Sequence, residues 1–359
     1  MLSRVSTRSF STSIPKAIKI STKPSDSLVS TLKVVVNNAG SKSSVVGLPH
    51  LLSASTFLNT ETKSGLRLKR EAELLGGEYT STVTRDAIVL EAKFLKEALP
   101  YFVNALGSTL TEAQYKTYQI AEVALPFAKY TYESASSSPS FKASEELHAI
   151  SFRKGLGNPL YFDGSKPYSS EDVASFAKSV FTSENIEIIA EGVVEEDLTK
   201  FVAESPLASL PSGSTKSTPA KLYTGAQTRI RAAGPTVGAI GIPVASSDAA
   251  TYALVAAYLK ASVPSTISTK VESKLLTYAD ASLLSFTVES SNASEVASAL
   301  SSAVSSLKNA SSLSKYSKLA ALDTAGSIDL SSAASSIKAP AFNLVVVGDV
   351  DAVPYAEEL

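Results

Sequence analysis

Apolar and polar residues alternate through Val29-Ser-Thr-Leu-Lys-Val-Val-Val36, and a period of two predicts a strand with one buried face. Further along the period lengthens. Leu48-Pro-His50-Leu-Leu-Ser53-Ala54-Ser and Gly65-Leu-Arg-Leu-Lys-Arg-Glu-Ala-Glu-Leu74-Leu75 both read as helices. Gly76-Gly77 ends the second of them, and two alternating runs follow, Tyr79 to Thr84 and Ala87-Ile-Val-Leu-Glu-Ala-Lys-Phe94, a hairpin pattern. Lys96 to Leu106 reads as a helix, with Pro100 in the first turn, where its missing N–H is harmless.

The second half replays this order. Val237-Gly-Ala-Ile-Gly-Ile-Pro-Val244 predicts a strand, and Asp248 to Leu259 a helix opened by an acidic cap. Lys270-Val-Glu-Ser-Lys-Leu275-Leu276 aligns with Lys69-Arg-Glu-Ala-Glu-Leu74-Leu75, 201 residues earlier. Ala281 to Phe286 and a helix from Ala293 to Leu307 continue the match. Each half closes on an apolar strand led by asparagine, Asn185-Ile-Glu-Ile-Ile-Ala-Glu-Gly-Val193 and Asn343-Leu-Val-Val-Val-Gly-Asp-Val350. These lie 158 residues apart, so the second half is shorter by about forty residues.

Two copies of one α+β unit are therefore expected, over residues 17–204 and 221–359. A Ser/Pro/Gly-rich linker over 205–220, read as irregular, joins them. The Ser/Ala-rich stretch from Ser290 to Ser336 keeps apolar residues at helical spacing and reads as helix. Residues 1–16 carry Arg4, Arg8 and Lys16, many hydroxyls and no acid, the composition of a mitochondrial presequence with a processing point near Phe10.

Composition narrows the function. The 359 residues are 44% hydrophobic and 19% charged with a net charge of −1, and no Lys/Arg cluster has the density of a nucleic-acid groove. The longest apolar runs, such as Ala341 to Val347, have strand length rather than the ~20 residues of a membrane span. With no cysteine, two histidines and one methionine, the chain is poor in ligands for haem, iron–sulfur clusters or structural zinc.

The helix around His50 has the frame of the inverted zinc motif H-x-x-E-H, which sets two imidazoles four residues apart with a Glu general base between them. Ser53 stands where the Glu belongs and Ala54 where the second His belongs. His50 is then expected to be an interior imidazole, and no catalytic, metal or cofactor-binding residue is expected. Glu112, Glu122 and Glu133 lie downstream on helices, but none can be assigned as a third ligand. His148, in Ser144-Glu-Glu-Leu-His148, is expected on the surface or at an interface. Gly155-Leu-Gly157-Asn-Pro159 lacks the Gly-Lys-Ser/Thr end of a phosphate loop and reads as a turn.

Val45-Val46-Gly47 before His50 and Phe57-x-Asn-Thr60 after it make this stretch resemble the metal-site helix of the pitrilysin and mitochondrial processing peptidase family. Glu73-Leu-Leu-Gly-Gly77, Phe94 to Leu106, Ile150-Ser-Phe-Arg-Lys-Gly-Leu-Gly-Asn-Pro-Leu160 and Val347-Gly-Asp-Val-Asp-Ala-Val-Pro-Tyr355 resemble its non-catalytic branch. Those members are the core proteins of the fungal mitochondrial ubiquinol–cytochrome c reductase, the cytochrome bc1 complex or complex III.

The resemblance implies an α+β fold of two homologous peptidase-like domains, each a mainly antiparallel sheet flanked by helices. It implies a structural subunit without cofactor, peripheral on the matrix side of the mitochondrial inner membrane. The implied partners are core protein 1, cytochrome b, cytochrome c1, the Rieske iron–sulfur protein and small subunits of a dimeric assembly. No nucleic acid is implied, and the membrane is reached only through partners. The alternative within the family is the substrate-recognising, non-zinc subunit of a heterodimeric matrix processing peptidase. That subunit carries a long glycine-rich loop, whereas the 17 glycines here are scattered.

Overall fold

The computed structural model describes residues 18–215, 219–338 and 340–359. The expected presequence and its processing point at Phe10 lie outside them.

The first sheet is built from β1 (Lys19–Lys23), β2 (Val29–Asn37), β3 (Glu78–Val83), β4 (Ala87–Leu95) and β5 (Ile186–Glu191), in the spatial order β1-β5-β2-β4-β3. Only β1 and β5 run parallel. The second sheet is built from β6 (Gln227–Arg231), β7 (Thr236–Ala245), β8 (Thr269–Thr277), β9 (Ala281–Ser290) and β10 (Asn343–Gly348), in the order β6-β10-β7-β9-β8. Here too a single pair, β6 with β10, is parallel. The two orders are the same under the replacement of each strand by the one five later, so the repeat read from the sequence is a repeat of topology.

The alternation in β2 buries Leu32, Val34 and Val36 against the helices. Those helices are α1 (Leu48–Ser55), α2 (Gly65–Leu74) and α3 (Leu99–Thr111), with Pro100 in the first turn of α3 as expected. Phe102 of α3 stacks on Phe94 of β4 with ring centroids 4.5 Å apart. A longer helix, α4, starts as one turn at Thr117–Gln119, passes through a π-helical stretch at Ile120–Ala124 and continues as Leu125–Ser136. After it come α5 (Pro139–Phe152), α6 (Ser170–Val180) and α7 (Glu195–Glu204).

The chain divides into two compact units, and the division is not the one the sequence suggests. One unit runs to Lys129 and resumes over Gly164–Ser217; the other combines Tyr130–Asp163 with Thr218–Leu359. The sequence reading kept 130–163 with the N-terminal half. In the fold, Ala143, Leu147, Phe152 and Leu156 pack instead on Val237, Ala239, Ala281, Leu283, Val345 and Val347 of the second sheet. Gly241 lets α5 approach this closely: a Cβ there would stand 2.6 Å from a methyl of Leu147. The opposite face of the second sheet is covered by α8 (Ala249–Ser262) and α9 (Ala293–Lys308), with α10 (Ser317–Asp323) beyond.

The alignment of Lys270–Leu276 with Lys69–Leu75 fails. Lys69 to Leu74 are helical, in α2, whereas Lys270 to Leu276 form β8, whose counterpart in the repeat is β3. Similar residue strings took different structures because β8 pairs with β9, while Ser64 caps α2 by accepting from Arg67 N. Asp248 precedes α8, but its side chain makes no capping hydrogen bond. The Ser290–Ser336 stretch is helical in α9 and α10 and irregular after Asp323, and within the stretch expected as an irregular linker Pro206–Ser209 forms a short 3-10 turn that belongs to the first unit, with Leu207 buried.

Candidate functional site

The site with a chemical frame is α1 and its surroundings in the first unit. Gly47 opens the helix with φ of 81°, a left-handed conformation that glycine adopts without strain, and Pro49 lies in the first turn. His50 is 5% exposed, Ser53 6% and Ser55 3%. Ser53 Oγ lies 2.8 Å from Ser81 Oγ of β3, a short hydroxyl pair at the position where the sequence was compared with the Glu of a zinc motif. Burial pushes the His50 imidazole down from its ordinary 6.5 to about 4, which keeps it neutral near pH 7.

The residues after α1 build a tight return. Phe57 has φ of 59° and its ring stacks on Tyr79 at 4.9 Å. Asn59 accepts from Gly65 N at 2.9 Å and donates to Tyr118 Oη at 3.3 Å, while Thr60 Oγ1 accepts from Lys63 N at 3.0 Å. The Phe57-x-Asn-Thr60 pattern thus has a structural cause: it fixes the path from α1 into α2.

The three downstream glutamates do not converge on His50. Glu112 accepts from Thr62 Oγ1 at 2.9 Å, and Glu122 and Glu133 are exposed on α4. Among the described residues, no group of three or more His, Cys, Asp or Glu stands close enough to hold a metal ion.

A polar network that the sequence reading missed sits beside the site. Glu71 of α2 accepts from Lys63 Nζ and from Arg67 Nε, each at 2.6 Å, and from Tyr101 Oη at 3.1 Å. The Lys63 and Arg67 hydrogen bonds hold its carboxyl down to about 2. Burial raises Tyr101 to about 12 and raises Tyr79 further. The four-residue spacing of Arg67 and Glu71 on a helix was the available signal.

His148 is not a surface residue. It is 2% exposed in α5, with Nδ1 2.6 Å from Ser144 O and Nε2 2.7 Å from Tyr278 Oη, and it ties α5 to the turn after β8. The Arg153-to-Asn158 turn completes the same attachment, with Leu156 fully buried and the Arg153 guanidinium 3.9 Å from the centre of the Tyr223 ring.

The two strand-leading asparagines are also structural. Asn185, 1% exposed, donates to Val180 O and Thr215 Oγ1 and accepts from Thr215 N. Asn343, fully buried, donates to Ser151 Oγ and Tyr223 O and accepts from Ala226 N. In each unit one carboxamide satisfies both donors and its acceptor, holding an incoming backbone segment where no strand ladder reaches.

Known proteins match this chain at three levels. Residues 19–164 match the family described as insulinase, peptidase family M16. A protein of Debaryomyces hansenii named cytochrome b-c1 complex subunit 2, mitochondrial, is 46% identical over the whole of both chains. Its namesake in Saccharomyces cerevisiae is 39% identical over 96% of each. A crystal structure described as a peptidase M16 inactive domain from Pseudomonas fluorescens superposes with a TM-score of 0.74 over 96% of this chain and 98% of that one; at 13% identity it shows the fold alone.

Proposed function

Because the chain belongs to the family of cytochrome b-c1 complex subunit 2, we propose that it is a non-catalytic core subunit of a mitochondrial ubiquinol–cytochrome c reductase, supporting assembly and stability of the redox subunits. The observation that carries this reading is identity of 46% along the full length of the Debaryomyces hansenii protein.

The chemistry of the chain supports the same role. With Ser53 and Ala54 in the zinc-motif frame, α1 offers neither a general base nor a second imidazole, and the one imidazole it has is buried and neutral. Two histidines, one methionine and no cysteine give the chain little with which to hold haem or a cluster, so redox chemistry falls to neighbouring subunits. Under this reading those neighbours are core protein 1, cytochrome b, cytochrome c1 and the Rieske iron–sulfur protein, and the chain is peripheral on the matrix side. Among the described residues no helix is long and apolar enough to cross a membrane, consistent with attachment through partners.

The test is native purification of the tagged chain from gently solubilised mitochondria. Co-purification with haem-bearing subunits and quinol–cytochrome c reductase activity is expected. Deleting the chain should lower the abundance of the complex and leave the haem spectrum of what remains unchanged. A soluble pair with a zinc peptidase, free of haem, would establish the processing alternative instead.

A further inference from the structure

Five large apolar side chains at one end of the first sheet face solvent. Leu28 is 81% exposed, Val29 48%, Leu74 86%, Leu75 38% and Leu95 48%. They are neighbours in space. Val29 and Leu95 are cross-strand partners in the β2–β4 ladder, and Lys96 N donates to Leu28 O at 3.3 Å. The Leu95 side chain lies over Gly76, its Cδ1 3.3 Å from where a Cβ would stand, which brings the end of α2 with Leu74 and Leu75 alongside. The exposed surface of these residues is on the order of 500 Å², within the range of the largest apolar patch on a typical domain, which is often functional. About 800 Å² per partner makes a stable interface, so the patch has the size of an interface core.

Its rim identifies the kind of partner. Asp26 precedes Leu28 by two residues, Arg70 and Glu73 lie within one helical turn before Leu74, and Lys96 and Glu97 follow Leu95 directly; all five are exposed, so the charges next to the patch in the chain carry both signs. An anionic membrane surface would select a basic rim. A mixed rim around an apolar centre fits the polar border of another protein. The backbone beneath is fixed by the ladder and by the Lys96 Nζ hydrogen bond to Ser25 O at 3.0 Å, so little ordering is needed on docking.

We propose that Leu28, Val29, Leu74, Leu75 and Leu95 form a docking surface for a different protein subunit of the assembly, one presenting an apolar patch bordered by charges of both signs. This rests on the functional reading above. It also gives Glu73-Leu-Leu-Gly-Gly77 a role: the helix ends at the surface with two leucines outward, Gly76 lies under Leu95, and Gly77 leaves room for Phe102 and the Lys93 carbonyl beneath.

The experiment replaces the chromosomal copy with the full-length tagged chain carrying Leu74→Glu and Leu95→Glu. A second strain carries Leu322→Glu, at an apolar residue of α10 that is 78% exposed in the other unit. The fraction of tagged chain migrating with haem on native gels is measured alongside the melting temperature of each purified chain. The expected result is a drop of tenfold or more for the double variant, an unchanged melting temperature, and wild-type migration for Leu322→Glu. Wild-type migration of the double variant would overturn the proposal. So would a self-association of the purified chain, or binding to anionic phospholipid vesicles, that the double variant abolishes. If the unmodified tagged chain itself fails to migrate with haem, the functional reading falls; if it migrates and the double variant does too, only the docking surface falls.

Discussion

The two sheets share a topology and differ on one face. On the second sheet, Val237, Ala239, Val345 and Val347 lie under α5. The registers place Lys33, Val35, Glu187 and Ile189 at the equivalent points of the first sheet, with Asn185 and Asn343 as the common origin. Glu289 and Glu91 are likewise equivalent; Glu91 pairs with Lys33 at 3.0 Å on a face partly open to water, whereas Glu289 accepts from Ser140 of α5 at 2.7 Å. One ladder therefore supports either a solvated face or a dry one, and the residues at alternate positions decide which. The strand sequences record it: β2 alternates, while β7 and β10 are apolar almost throughout.

The sharpest way to break this comparison is to unseat α5. Leu147 is fully buried, and Leu147→Ala should cost about 2–5 kcal/mol in a denaturant titration, since Gly241 opposite offers no side chain to fill the gap. A loss below about 1 kcal/mol would mean that the helix is a loose cover.

A smaller effect is expected from His50 as pH changes. His50 titrates near 4 when folded and near 6.5 when unfolded, so the unfolded chain takes up the proton first and stability falls as pH drops from 6.5 towards 4. His50→Asn should flatten that part of the curve in thermal melts taken across the window. An unchanged slope would place the acid sensitivity elsewhere. The smallest effect is expected on the open face, where Lys33→Ala removes a half-exposed ion pair worth about 0–1 kcal/mol. A loss as large as that at Leu147 would mean the face is not solvated.

Much of this was legible in the sequence, and the failures have physical causes. The period of two in β2 and β4 and the asparagines that lead into β5 and β10 located the repeat, because strand alternation is a local requirement and each unit places a buried carboxamide at the same point of its sheet. The place of α5 was not legible. A helix records that one face is apolar, not which sheet it meets, and chain order pointed to the wrong one. His148 was misplaced with it, since its burial depends on Tyr278, 130 residues away. The Lys69 and Lys270 strings misled because leucines and charges in that order suit a helix or an edge strand, and pairing with β9 decided between them.

The attachment of α5 also sets an order in time. At roughly 5–20 residues per second of synthesis, the ~200 residues between Leu147 and Val345 take about 10–40 s to emerge, and for that interval the apolar side of α5 has no sheet to cover. The first sheet can close once β5 is made; the second waits for the last strand of the chain. The nascent protein therefore carries a finished sheet and an exposed helix together, which makes this interval the one in which chaperone binding or a mispaired contact with another copy would act.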